Sequence, residues 1–162
     1  MSHRAALVEA LEANLNRTLS YFDAPADALA RAYAPGKWTL QVLLVHLSDT
    51  EAVFLDRLRR IASDEKPLLL GMDPDRWAAG LDYKRRDVKL AKLQYEAARR
   101  GIIELAVKAS PALDARSAPH SEGGTRTFAQ ILKTALDHDE HHLEQAQAIL
   151  DGKTWVATKS GY

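Results

Sequence analysis

The chain contains no cysteine. This excludes disulfides, thiolate nucleophiles and any zinc or iron–sulfur site held by sulfur. A metal would have to be held by histidine and carboxylate. Net charge is also lacking: Lys plus Arg is 22 and Asp plus Glu is 22. The broad basic field that holds a phosphate backbone is therefore missing, and nucleic acid is not an expected partner. No apolar run approaches the ~20 residues of a membrane span. The N-terminal stretch "MSHRAALVEALEANLNR" carries Glu9 and Glu12 where a secretory signal would need an unbroken apolar core. No membrane partner is expected, and the cytoplasm is the expected compartment. Convincing strand patterns are missing as well.

What is present is helical. The 162 residues, 46% of them apolar, suit a single domain spanning 1–162. The first predicted helix runs from about Ser2, a candidate N-cap, to Tyr21. It carries Leu7, Leu11, Leu15, Thr18 and Phe22 at helical spacing. The second starts at the N-cap Thr39 and runs to about Ile61, with Leu40, Leu43, Leu44, Leu47, Phe54 and Leu58 on one stripe. A long crossover from about Ala62 to Lys84 contains "DPDRW", where Asp73 can cap a short helix and Pro74 can open it. The third helix covers about Asp87 to Ala109, with Gly101 as a weak point in its middle. After "SPALDARSAPHSEGGTR", Thr127 and Gln130 form a capping-box signature for the fourth helix. Asp151 and Gly152 end it, with Gly152 just past the last turn. Four helices with one long connector after the second argue an all-α four-helix bundle, with a long crossover between helices 2 and 3.

The stretch "DHDEHHLEQ" lies on the fourth helix. Phe128, Ile131, Ala135, His138, His142, Gln145 and Ile149 recur in alternating steps of three and four, the seam that faces a bundle core. His138 and His142 occupy that seam one turn apart, while His141 falls beside it. A lone core histidine is read as a hydrogen-bonded core residue. Two neutral imidazoles at this spacing can turn their lone pairs toward one cation, which offsets the cost of burying them. The third candidate ligand is His46, the only other histidine inside a long helix. Three histidines would leave an open coordination position, as catalytic sites do. His3 and His120 are read as solvated. Gln145 lies one step along the seam from His142, where its amide can orient a ligand. Thr50, one turn after His46, points toward the same place. Asp49 either supports the site or is solvated. Glu51, about 140° round the helix from His46, is expected to pair with an arginine rather than a metal.

These residues carry a resemblance. "PGKWTLQVLLVHLSDTEAVFLDRLRRI", followed much later by "HDEHHLEQ", resembles the DinB-like superfamily of four-helix-bundle metalloproteins over about Leu7 to Leu150. The resemblance implies a bundle with a long crossover and a divalent metal on three histidines, which map onto His46, His138 and His142. Relatives include bacillithiol S-transferases and mycothiol-dependent maleylpyruvate isomerases, in which the metal activates a low-molecular-weight thiol or a water. The resemblance also implies that homodimers are common; the first and third helices are the expected faces here, since the second and fourth turn their histidines inward, with Tyr21, Phe22 and Tyr95 either on such faces or in the core.

Three functions are compatible with these residues. The first is a metal-dependent enzyme on a small molecule, with thiol transfer ahead of hydrolysis. Its one divalent ion would be zinc or nickel first, iron or copper next. The nucleophile would be a metal-activated water or thiol. The second is a peptidase in which Asp139, in a zincin-like His-Asp-x-x-His, acts as general base; against it stands Asp139 as a solvated helix residue. The third is a non-enzymatic metal-binding bundle that dimerises or senses a ligand.

Overall fold

A computed structural model of the chain describes residues 3–157. The candidate cap Ser2 lies outside them. The helices are α1 (His3–Phe22), α2 (Ala26–Leu29), α3 (Leu40–Ser63), α4 (Pro74–Gly80), α5 (Val88–Lys108) and α6 (Phe128–Leu150). The four long ones, α1, α3, α5 and α6, are the predicted bundle. The caps hold them where the sequence places them. Thr39 accepts from the Val42 amide at 3.4 Å, Asp73 from Arg76 at 2.9 Å, and Asp87 from Lys89 at 2.8 Å. The capping box at α6 is complete: Thr127 accepts from the Gln130 amide at 3.1 Å and Gln130 from the Thr127 amide at 2.9 Å. Gly152 ends α6 at φ 66°, a left-handed conformation that suits glycine.

The long helices close a ring in the order α1, α5, α3, α6, so the consecutive α1 and α3 face each other across the diagonal. Gly101 does not break α5. A Cβ built there would sit 3.1 Å from Leu55 Cδ2, so the glycine lets α3 approach closely.

The connector after α5 departs from expectation. It forms a small ribbon, β1 (Ser117–Pro119) antiparallel to β2 (Thr125–Thr127). Gly123 and Gly124, at φ 101° and 72°, turn the chain, and the His120 amide donates to Gly124 O at 3.0 Å. Each element is too short to show a two-residue period, so the glycine pair was its one signal. The ribbon also pins the crossover: the Leu69 amide donates to Pro119 O at 3.0 Å, and that of Ser121 to Leu69 O at 2.9 Å. His120 is consequently held against this pairing with its side chain only 10% exposed, not solvated.

The core divides into two apolar clusters. One gathers Leu11, Leu58, Ile61, Ile102, Phe128 and Leu132; the other Leu40, Leu43, Leu44, Tyr95, Leu143 and Ile149. Tyr21 and Phe22 join the second cluster, so the aromatic residues considered for a subunit face are core residues. Along α3, α5 and α6 the buried polar residues His46, Ser48, Asp49, Thr50, Glu51, Arg99 and Asp139 fall between the two clusters, with His138 and His142 half-buried beside Asp139. Among the described residues, no helix is long and apolar enough to cross a membrane.

Candidate metal centre

His46 comes from the first half of α3, and His138 and His142 from the middle of α6, which packs beside it. One ring nitrogen from each lies within 4.8 Å of the other two. The Nε2 atoms of His46 and His138 are 3.0 Å apart. Ligand nitrogens at zinc distance on a tetrahedral centre are separated by about 3.3 Å, close to this spacing. The donor set therefore fits a single divalent ion.

The surroundings keep these imidazoles neutral. Burial pulls His46 down to about 3, with His142 adding to the effect. It pulls His142 down to about 4 against the bond from Gln145, and His138 well below the usual histidine value. Lone pairs are thus available at neutral pH. Gln145 fixes one of them. Its Oε1 lies 2.8 Å from His142 Nδ1; an N–H donated there leaves Nε2 of His142 with the lone pair. The same amide places its Nε2 3.3 Å from His141 Nε2. His46 Nδ1 is buried without a partner among the described residues.

The histidines open onto a cavity of about 330 Å³. Trp38 stands edge-on to His46, with ring centroids 5.0 Å apart, and Phe54 does the same to His138 at 5.6 Å. Val53, Arg57, Met72 and His141 complete most of the wall. Sequence reasoning placed Phe54 on the apolar stripe of α3 and gave none of Trp38, Phe54, Arg57 or Met72 a role at the site. The "GKW" run before α3 was a signal for Trp38, but nothing local indicates that Met72, in the crossover, folds over the site.

The other expected site residues divide. The Thr50 hydroxyl donates to the His46 carbonyl at 2.8 Å, and the residue lines the cavity. Asp49 is neither solvated nor in contact with the three histidines. It is buried facing the crossover and α5, accepting from Tyr83 Oη at 2.8 Å and Gln94 Nε2 at 3.0 Å, with Arg86 Nη1 3.3 Å away. Glu51 pairs with arginine as expected: Arg99 donates to it through Nε at 2.5 Å and Nη2 at 3.0 Å. Asp139 is not a solvated residue. It is 1% exposed, accepts from Tyr95 Oη at 2.9 Å, and lies 3.5 Å from Arg99 Nη2. One residue on from His138, it projects to the other side of α6, which removes it from the general-base role. Burial works against the charge of Arg99, yet Glu51 and Asp139 outweigh it and hold the guanidinium above its ordinary value. Burial raises the Glu51 and Asp139 carboxyls, and Arg99 opposes the rise.

Comparison with known proteins places the chain in a family. Two proteins of Oceanobacillus iheyensis, each carrying the name "Putative metal-dependent hydrolase" (OB0782 and OB0413), are 25% and 23% identical over 129 and 128 residues. These alignments cover 80% and 79% of this chain and 74% and 73% of the relatives. Among solved structures, YfiT from Bacillus subtilis, described as a probable metal-dependent hydrolase with an unusual four-helix bundle topology, superposes with a TM-score of 0.84 at 18% identity. The match covers 93% of this chain and 89% of that one. The mycothiol-dependent maleylpyruvate isomerase superposes with a TM-score of 0.71 at 10% identity, over 93% of this chain and 68% of the isomerase. Residues 10–146, which include all three histidines, match the DinB superfamily, and the chain belongs to that family.

Proposed function

We propose that His46, His138 and His142 hold one divalent metal ion and that the protein is a metal-dependent hydrolase of a small molecule. The observation that carries this reading is the convergence of three neutral imidazole nitrogens at the floor of a cavity. A divalent ion, when bound, supplies Lewis acidity, polarising a substrate oxygen and easing the loss of a proton from water. The chain's own residues do the rest. Gln145 holds the His142 tautomer, as outer partners of ligating histidines do. Trp38, Phe54 and Met72 give the cavity apolar walls beside the histidines. No carboxylate lines this cavity among the described residues, so the ligand set is all-nitrogen, which suits zinc, nickel, iron or copper rather than magnesium or calcium.

Hydrolysis is placed ahead of thiol transfer because the curated relatives carry hydrolase names. Titration of zinc into chelator-treated protein should show one site per chain. A panel of small esters and amides, with and without added thiols, should show turnover that depends on the metal. Absence of a stoichiometric site would overturn the reading. Turnover only with a thiol present would move the reaction to the transferase class.

A further inference from the structure

A second cavity, of about 530 Å³, adjoins the first and shares Val53, Arg57 and Met72 with it. Its wall is largely apolar, with Leu70, Trp77 and Leu81 prominent. Two carboxylates also face it, and both are engaged. Asp49 is held by Tyr83, Gln94 and Arg86, and Asp56 accepts from Arg60 Nε at 2.7 Å.

Arg57 stands at the junction and differs from them. Among the described residues it forms no ion pair. Its Nη2 donates to the Leu70 carbonyl at 2.6 Å, and its guanidinium sits 5.8 Å from the Phe54 ring centre. Its Nε is buried with no partner. Of the acids whose field reaches it, Asp56 is occupied by Arg60, and Glu122 is largely exposed to solvent. A half-buried guanidinium with an unused, desolvated N–H is costly to leave empty. Its planar donors match a carboxylate.

We propose that Arg57 is the anion-binding residue of the substrate site. The substrate is an elongated carboxylate whose charged end pairs with Arg57 and whose apolar body lies across Met72 toward Trp77. This deepens, and rests on, the reading of the histidine cavity as a substrate site. Each cavity falls in the size range of small-molecule sites, and a ligand spanning both would pass the guanidinium.

The test uses octanoate and its neutral isostere octanamide, titrated into the full-length protein and followed by tryptophan fluorescence, since Trp38 and Trp77 line the two cavities. Wild type should bind octanoate roughly tenfold or more tighter than octanamide, the ratio that one charge-assisted hydrogen bond implies. Arg57→Met should bring the two within about twofold by abolishing that bond, with octanamide affinity unchanged. Arg57→Lys should keep part of the preference. His138→Ala, which removes a metal ligand, should keep the full ratio. Equal affinities in wild type, a preference that survives Arg57→Met, or no binding of either compound at millimolar concentration would each overturn the proposal. A preference lost in His138→Ala but kept in Arg57→Met would place the carboxylate on the metal, overturning the role of Arg57 while leaving the metal centre standing.

Discussion

The two polar constellations in the middle of this bundle are built from the same two helices and behave in opposite ways. Glu51 and Asp139, on α3 and α6, meet Arg99 of α5 in a network without solvent access; all three side chains are at most 3% exposed. His46, His138 and His142, also on α3 and α6, meet one another at the edge of a cavity. His138 and Asp139 are neighbours in sequence and serve different networks. The first network is closed: opposite charges meet, and hydroxyls from Tyr95 and Thr18 fill out the remaining acceptor positions. The second is open: three groups of the same kind, each a neutral imidazole able to turn a lone pair toward a common point, with no opposite charge among them. Closure makes a brace, whereas a like-for-like cluster of neutral donors is the arrangement that suits a cation.

The comparison breaks most readily at Arg99. Arg99→Met should leave two buried carboxylates uncompensated and cost about 3–5 kcal/mol, read by denaturant unfolding. Adding Glu51→Gln and Asp139→Asn should recover much of that loss, because the buried charges vanish together. A loss under about 1 kcal/mol for the single variant would show that the network is not a brace.

Metal should act on the other constellation alone. Zinc at a hundred times its dissociation constant should stabilise wild type by about 2.7 kcal/mol, and His138→Ala should abolish that gain while remaining folded. A zinc-dependent shift retained in His138→Ala would show that the ion sits elsewhere.

Gln145 sharpens the contrast between ligand and orienting group. Gln145→Ala should weaken zinc about 10- to 100-fold, as loss of an outer partner does, without abolishing the site. An unchanged affinity by chelator competition would remove Gln145 from the site's support.

The smallest effect is expected at His141. It lines the cavity and touches Gln145, but its nitrogens do not belong to the three-histidine cluster. His141→Ala should keep one zinc per chain by elemental analysis. A drop to the level of His138→Ala would redraw the ligand set.

The sequence made the seam of α6 legible because buried positions repeat at intervals set by helix geometry, and a histidine pair on that repeat stands out against leucine and alanine. His46 was legible by elimination. The pairing of Glu51 was legible from the cost of burying a carboxylate, although the partner's identity, Arg99, depends on which helix lies alongside. Asp139 was misplaced for a related reason. Its angular position marks only which side of α6 it occupies; that this side meets Thr18 of the neighbouring α1 and Tyr95 and Arg99 of α5 across the bundle depends on the ring order. Asp49 was ambiguous because its three partners sit 34 to 45 residues away. Arg57 and Met72 needed the crossover to be folded before their meeting could be seen.

The ring order α1, α5, α3, α6 has a consequence for the order of events as the chain is made. α1 leaves the ribosome ahead of every other described helix, yet its main neighbours are α5 and α6, whose residues follow much later. Leu7, Leu11 and Leu15 therefore travel without their packing surface until α5 has been made, and α1 lacks its second neighbour until α6 follows. The first described helix waits for later ones, and the histidine cluster, which needs α6, cannot assemble before α6 has been made.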